Sequence, residues 1–514
     1  MKFSFLVLWP QIEVCQGLQS GQIISISDVP HDLKKMDLAL SVSLPPGLFP
    51  QRELHLPIQE MSDFRPKRII QNIPYLSNIQ AAAESIPVSL REGLSPEAIL
   101  SRLQNWPDLP LESSAFSLLP QNRPASSSSV DRILELVADP KAESSHTSGL
   151  KHIEKALTNH LEQVLSRIYA DPDFRRLESL LRSINCLFRL CGKDIRIQCD
   201  LLPVDGQALE SSIDQTLPTM IQRLPQLILL DFPLDSSSWH LGLLKKTATL
   251  AETLLIPALC WISPQFLGID SWAAMDRLPY LPHHFDTDLY AKWRQFKTKP
   301  SSRWTALTCN RFLLRSPLNN RDGESGSPLN IKEPEPLWGS PVWALAGLIL
   351  QSLAATSWPT HFANWKQIRL EGLDMARTPQ GQMLPTETTF SEDRLEQFSR
   401  IGLVPLLGAL HQDILFTPLD TTFGGLPLSN QLFASTISRE LVILKGDYPG
   451  PAEPQSVRDY LEKNLADAFG LHSPENLDIS LDKTPSGCQS RISITPSRIM
   501  LPVQQEFTME LDWS

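Results

Sequence analysis

Residues 290–317 read YAKWRQFKTKPSSRWTALTCNRFLLRSP, and the fold turns on how this stretch is read. Tyr290, Trp293 and Phe296 stand at i, i+3 and i+6, which lines three aromatic rings along one side of a helix, interleaved with Lys292 and Arg294. A helix of that kind needs a sheet to pack on. Trp304-Thr305-Ala306-Leu307-Thr308 supplies one strand, alternating so that one face can be buried. A turn, Arg311-Phe312-Leu313-Leu314-Arg315, follows directly. Helix, strand and turn in this order predict an α/β chain.

Working outward, residues 150–514 alternate helices with strands. A helix over 151–168 leads into Ala170-Asp171-Pro172-Asp173-Phe174-Arg175-Arg176-Leu177-Glu178, and Leu181-Arg182-Ser183-Ile184 continues it. Further words are Ile256-Pro257-Ala258-Leu259, the run Ser263-Pro264-Gln265-Phe266-Leu267-Gly268-Ile269-Asp270-Ser271-Trp272, Leu337-Trp338-Gly339 and Leu384-Pro385-Thr386-Glu387-Thr388. Two alternating strands, 491–494 and 507–513, close the chain.

In their order, these words resemble the large subunit of the contractile sheath of bacterial type VI secretion systems. One departure is that the family's Trp-Arg-Gly-Leu is Leu181-Arg182-Ser183-Ile184 here. Residues 1–112 resemble the small sheath subunit. An alternating opening strand (Phe3, Phe5, Val7, Trp9) precedes a proline-marked loop, Leu44-Pro45-Pro46-Gly47, and then the helix start Asp63-Phe64-Arg65-Pro66. Ser62 or Asp63 can cap that helix, Pro66 fits its first turn, and Ile69, Ile70, Ile73 and Leu76 form one apolar face.

Between the halves, residues 113–149 read as a serine-rich linker, with Ser126 to Ser129 and Ser144 to Ser148 as tethers. Within it Val130, Ile133, Leu134 and Val137 fall at i, i+3, i+4 and i+7, an apolar stripe on one helical face. That stripe fits either a helix docked on the nearest core or one held out for a partner. The resemblance implies the second, because sheath proteins are recycled by a AAA+ unfoldase that grips a helix in this place.

Composition narrows the class. At 514 residues the chain exceeds one ordinary core. A formal charge of −11 argues against nucleic acid as the main partner. Seven cysteines without a C-x-x-C favour a reducing, cytoplasmic setting, and Cys186, Cys191 and Cys199 are spaced too irregularly for a zinc knuckle. The opening Lys2 to Trp9 is short for a signal peptide and reads as a buried first strand. Residues 337–358 carry no charge and are long enough to span a bilayer, yet Pro341, Gln351 and three serines favour a buried helix in a large core.

No phosphate loop, dinucleotide fingerprint, zinc-protease word or nucleophile elbow occurs. His283-His284-Phe285-Asp286-Thr287-Asp288 is the densest group of metal-capable side chains, but adjacent histidines point apart, so it reads as a loop before the Tyr290 helix. Glu392-Asp393 suits the start of a helix, and Arg65, Lys67 and Arg68 a solvated face. No catalytic, cofactor or metal site is expected.

The expected fold is therefore α/β: a multi-domain sheath-subunit fold with mixed sheets flanked by helices, and terminal strands available for exchange between subunits. The segments are 1–112, 113–149, 150–330 and 331–514. Phe3, Phe5 and Val7 at one end, and Phe507, Met509 and Leu511 at the other, are the candidate inter-subunit strands. The resemblance implies a cytoplasmic structural subunit that polymerises with itself around an inner tube protein, meets baseplate components, and neither binds nucleic acid nor inserts into a membrane. Two other readings are a non-polymerising cap or anchor of a contractile injection machine, and an α/β enzyme with scattered active residues.

Overall fold

The computed structural model describes residues 2–13, 15–18, 21–106, 109–110, 140–190, 195–205, 211–214, 223–318, 329–378, 381–450, 453–469, 476–484, 487–503 and 505–513. Its centre is a seven-stranded sheet. In spatial order the strands are β14 (Leu403–Pro405), β9 (Thr305–Cys309), β8 (Ala258–Ile262), β7 (Leu227–Leu234), β1 (Lys2–Pro10), β6 (Arg196–Val204) and β3 (Ile24–Ile26). All neighbours are parallel except β3, which runs antiparallel to β6.

A parallel sheet needs helices on both faces, so its strands are apolar throughout. Phe3, Phe5, Val7 and Trp9 of β1 face a layer formed by helices Pro140–Ala170, Pro172–Leu190 and Pro341–Thr356. Leu6 and Leu8 face helices Ser238–Leu254, Ala291–Lys297 and Glu392–Ile401. The alternation read in residues 3–9 and 304–308 is thus corrected: Phe3 to Trp9 and all of β9 are buried on both sides.

From β1 the chain reaches β6 through helices on the first face. It then crosses to the far side of β1 and steps through β7, β8 and β9 with helices on the second face. Direction and face reverse together, as a constant crossover hand requires. The reversal places a topological switch point between β1 and β7.

Smaller sheets decorate this core. β2 (Cys15–Gln16), β4 (Leu38–Ser43) and β5 (Glu53–Ile58) form an antiparallel trio. Three hairpin-like pairs follow: β10 (Phe312–Arg315) with β11 (Leu337–Gly339), β12 (Ala376–Arg377) with β13 (Met383–Leu384), and β15 (Leu407–Gly408) with β16 (Leu415–Phe416). At the C-terminal end β17 (Leu477–Thr484), β18 (Gly487–Ile494) and β19 (Phe507–Trp513) make an antiparallel sheet. Helices Leu428–Asp447 and Pro454–Phe469 cover one face of it, and Phe433, Ile437, Val457, Leu461, Ile479, Ile492 and Trp513 share a separate core there.

Several expectations change. The boundaries at 112 and 330 cut one sheet, since β1, β6 to β9 and β14 come from three of the four expected segments. Ser144 to Ser148 lie inside helix Pro140–Ala170 rather than in a tether. The single helix expected from Asp63 onward is a 3-10 turn, Met61–Phe64, followed by helices Pro66–Asn72 and Pro74–Arg91. Pro74 has no N–H to continue a helix and begins the next one instead. Ile69, Ile70, Ile73 and Leu76 are all buried across that break. The uncharged stretch near 337–358 is a core helix, Pro341–Thr356, and no helix among the described residues is long and apolar enough to cross a membrane.

Candidate functional site: a buried charge cluster and the edges of the C-terminal sheet

The signature stretch works as a set of anchors. Tyr290, Trp293 and Phe296 are buried. The Tyr290 hydroxyl donates to the Phe266 carbonyl at 2.7 Å, and Trp293 Nε1 to the Ser236 carbonyl at 3.1 Å. Arg294 donates to the carbonyls of Phe285 and Thr287, each at 2.6 Å. The aromatic–basic pattern therefore ties loops at the rim of the sheet to a helix that its rings hold in place.

Beyond β9 the chain turns at Asn310, whose φ of 74° lies in the left-handed region that asparagine tolerates. Its side-chain amide donates to the carbonyls of Thr388 and Leu406, each at 2.8 Å. Arg311 then donates to Glu387 at 2.8 Å, and the Leu313 N–H to the Pro385 carbonyl at 2.8 Å. The Leu384-to-Thr388 word is thus laid against the Arg311-to-Arg315 turn. On the other side β10 pairs with β11, so Leu337-Trp338-Gly339 meets the same turn.

Arg315 completes the convergence. Its Nε and Nη2 donate to the two carboxylate oxygens of Glu178, both at 2.8 Å, while Nη1 and Nη2 donate to Glu333 at 2.7 and 2.8 Å. Arg182 adds a bond to Glu178 at 2.8 Å, and Arg175 one to Glu333 at 2.7 Å. The Arg315 guanidinium also sits 5.4 Å from the Tyr169 ring centre. Arginines 175, 182, 311 and 315 face glutamates 178, 333, 335 and 387, four against four.

Burial alone would raise the Glu178 carboxyl, but the bonds and charge of Arg315, with Arg182, hold it below the ordinary carboxylate range. Burial works against the Arg315 charge as well, and its two glutamates more than offset that. Both partners stay ionised, so the cluster moves no proton. Charge-assisted bidentate bonds of this kind fix geometry, and losing one partner strands the other in a dry interior.

Four words spread from Pro172 to Thr388 therefore meet at one neutral cluster. Residues 225–418 match the VipB family model, described as the EvpB tail sheath N-terminal domain. The chain is TssC-like. A type VI secretion system sheath protein TssC1 of Pseudomonas aeruginosa is 22% identical over 310 residues, covering 52% of this chain. The TssC-like chain spans 59% of that relative's length. Among solved structures, a chain of the anti-feeding prophage baseplate aligns with TM-score 0.36 and 10% identity, over 59% of this chain and 70% of that one. The sheath tail protein Lin1278 of Listeria innocua aligns with TM-score 0.32 and 12% identity, over 60% of each chain. The family match is confined to residues 225–418.

The other expected residues of the TssC-like chain fall as follows. Phe3, Phe5 and Val7 do not form an exchangeable strand: β1 lies between β6 and β7, with both edges paired in the chain itself. Phe507, Met509 and Leu511 point into the C-terminal core from β19, which pairs with β18 on one side and with no strand on the other among the described residues. Val130, Ile133, Leu134 and Val137 lie outside the described residues. His284 Nε2 bridges the Leu267 carbonyl at 3.1 Å and the Tyr290 hydroxyl at 3.2 Å, a structural use. Glu392 and Asp393 open a helix capped by Ser391, and Arg65, Lys67 and Arg68 are exposed.

Sequence reading missed Glu333 and gave Glu178 no role. A signal for Glu178 was present: Phe174, Glu178 and Leu181 fall at i, i+4 and i+7, which sets an acid on an apolar stripe.

Proposed function

We propose that this chain is a structural subunit of a contractile type VI secretion sheath, cytoplasmic, polymerising helically around an inner tube. Contraction would drive that tube through a target envelope, and baseplate components would nucleate the polymer. The observation that carries the reading is the C-terminal sheet, whose outer strands β17 and β19 leave both outer edges without a strand among the described residues. Open edges accept strands from a second subunit by main-chain hydrogen bonding, and such heterologous contacts extend into a helix rather than close.

In this reading residues 1–112 act as the small-subunit-like part, fused in one chain with the large-subunit-like remainder. Val130, Ile133, Leu134 and Val137 present the unfoldase-binding stripe. The test is negative-stain microscopy and sedimentation of the purified chain. Tubes or helical fragments are expected, and a monomer at high concentration without tubes would overturn the reading.

The position of β1 favours a second reading, a sheath-fold cap or anchor that does not polymerise. With β1 paired on both sides, an exchange strand is left at only one terminus. Sedimentation separates the two: the cap stays a small, defined species in isolation and joins tubes only at their ends.

A further inference from the structure

A cleft of about 410 Å³ opens at the carboxyl ends of the parallel strands, beside the switch point between β1 and β7. Ligands of open α/β sheets settle at such crevices because the strand ends diverge there and leave backbone and side chains converging on one space. Trp9 ends β1, Trp261 lies at the end of β8, and Trp338 comes from β11. Three indoles thus border one opening, whose volume lies within the range of small-molecule sites.

Acids and bases both line the cleft. Asp231, the acid in the floor, already accepts from Trp261 Nε1 at 3.2 Å and Trp343 Nε1 at 2.8 Å, which also locks the Trp261 ring. Burial pushes its carboxyl upward, and the two indole N–H groups occupy it. The indole N–H groups of Trp9 and Trp338 have no acceptor among the described residues. Arg176 on the rim is exposed and, among the described residues, paired only with Asp173, at 3.2 Å. Arg175 and Arg311 flank Glu335 at 3.8 and 3.7 Å, and the Arg311 guanidinium lies 6.0 Å from the Trp338 ring centre. The free capacity is flat aromatic surface, N–H donors and positive charge.

We propose that this cleft binds a planar ring carrying an anionic group, a ligand of the mononucleotide class. The ring lies against the indoles, and the anion meets Arg176 at the rim. The proposal does not depend on whether the chain polymerises.

Calorimetric titration of the full chain tests it with four probes: AMP, FMN, adenosine and inorganic phosphate. AMP or FMN is expected to bind saturably in the micromolar range, at least tenfold tighter than adenosine or phosphate. Arg176→Glu should weaken that binding at least tenfold with an unchanged thermal midpoint, because its side chain is exposed. Glu335→Gln should tighten it by removing the rim's competing acid. Absence of saturable binding by both nucleotides overturns the proposal. So does phosphate binding as tightly as AMP, which marks a charge patch only, or adenosine binding as tightly, which removes the anion. Binding indifferent to both substitutions places the ligand elsewhere and also overturns it.

Discussion

Arg315 and Glu178 stand 137 positions apart and meet through two parallel hydrogen bonds of 2.8 Å each. Glu178 is fully buried and Arg315 nearly so, and Glu333 takes the remaining guanidinium nitrogen. The pair joins helix Pro172–Leu190 to β10, and through β10 to the segment that carries β11.

Replacing Arg315 with Met should therefore destabilise the chain by about 3–5 kcal/mol, because two buried carboxylates lose the guanidinium they share and keep only Arg182 and Arg175. The check is the denaturant midpoint at neutral pH. A loss below about 1 kcal/mol would mean that water reaches both acids and the cluster behaves as a surface network.

Acid should dismantle the same cluster. The Glu178 carboxyl is held below its ordinary value of 4.5 in the folded chain. A depressed carboxyl contributes stability above the unfolded value and loses it as pH falls through the folded one. Stability curves of the native chain and Glu178→Gln should accordingly converge below pH 4.5, the variant being weaker at neutral pH and flatter in acid. Parallel curves down to the lowest pH would assign the acid sensitivity to other groups.

Gly339 faces Phe312 across the β10–β11 pair. A Cβ there would lie 2.6 Å from the Phe312 ring carbons. Gly339→Ala should cost about 1–3 kcal/mol by overpacking. Phe312→Leu in the same chain should recover part of that loss, seen as a negative coupling in a double-mutant cycle. Additive losses would show that the backbone simply moves aside.

The two ends of the chain should respond differently to deletion. Removing residues 2–10 takes an interior strand out of the central sheet and should abolish cooperative unfolding. Removing residues 507–514 takes an edge strand and should leave central-sheet amides protected in hydrogen exchange, while any sedimenting polymer disappears. A polymer that survives the second deletion places assembly at another edge.

Much of this was legible in the residues. The aromatics of the Tyr290 helix are buried as their spacing demands, and the uncharged stretch around Pro341 is a core helix because its apolar residues cover all sides. Local pattern failed where distant partners decide. Trp304 to Thr308 reads as alternating because threonine counts as polar, yet Thr305 and Thr308 are buried in a strand covered on both faces. Pro74 ends one helix and begins another within a single apolar face, and periodicity alone does not see that break. The Arg311–Arg315 turn was recognised by its letters, whereas its role required Glu178, Glu333 and Glu387, none of them near it in sequence.

The placement of β1 has a consequence for how the chain is made. Its register runs from Phe5 against Leu227 on one side to Phe5 against Cys199 on the other. This strand therefore has no partner until β6, nearly two hundred residues later, has been made. At elongation speeds of about 5–20 residues per second that interval is roughly 10–40 s. Throughout it an apolar run, Phe3 to Trp9, trails in the open beside the growing chain. Shielding of that run by chaperones is thus a demand set by topology, and slowed translation before residue 200 would lengthen the window for aggregation.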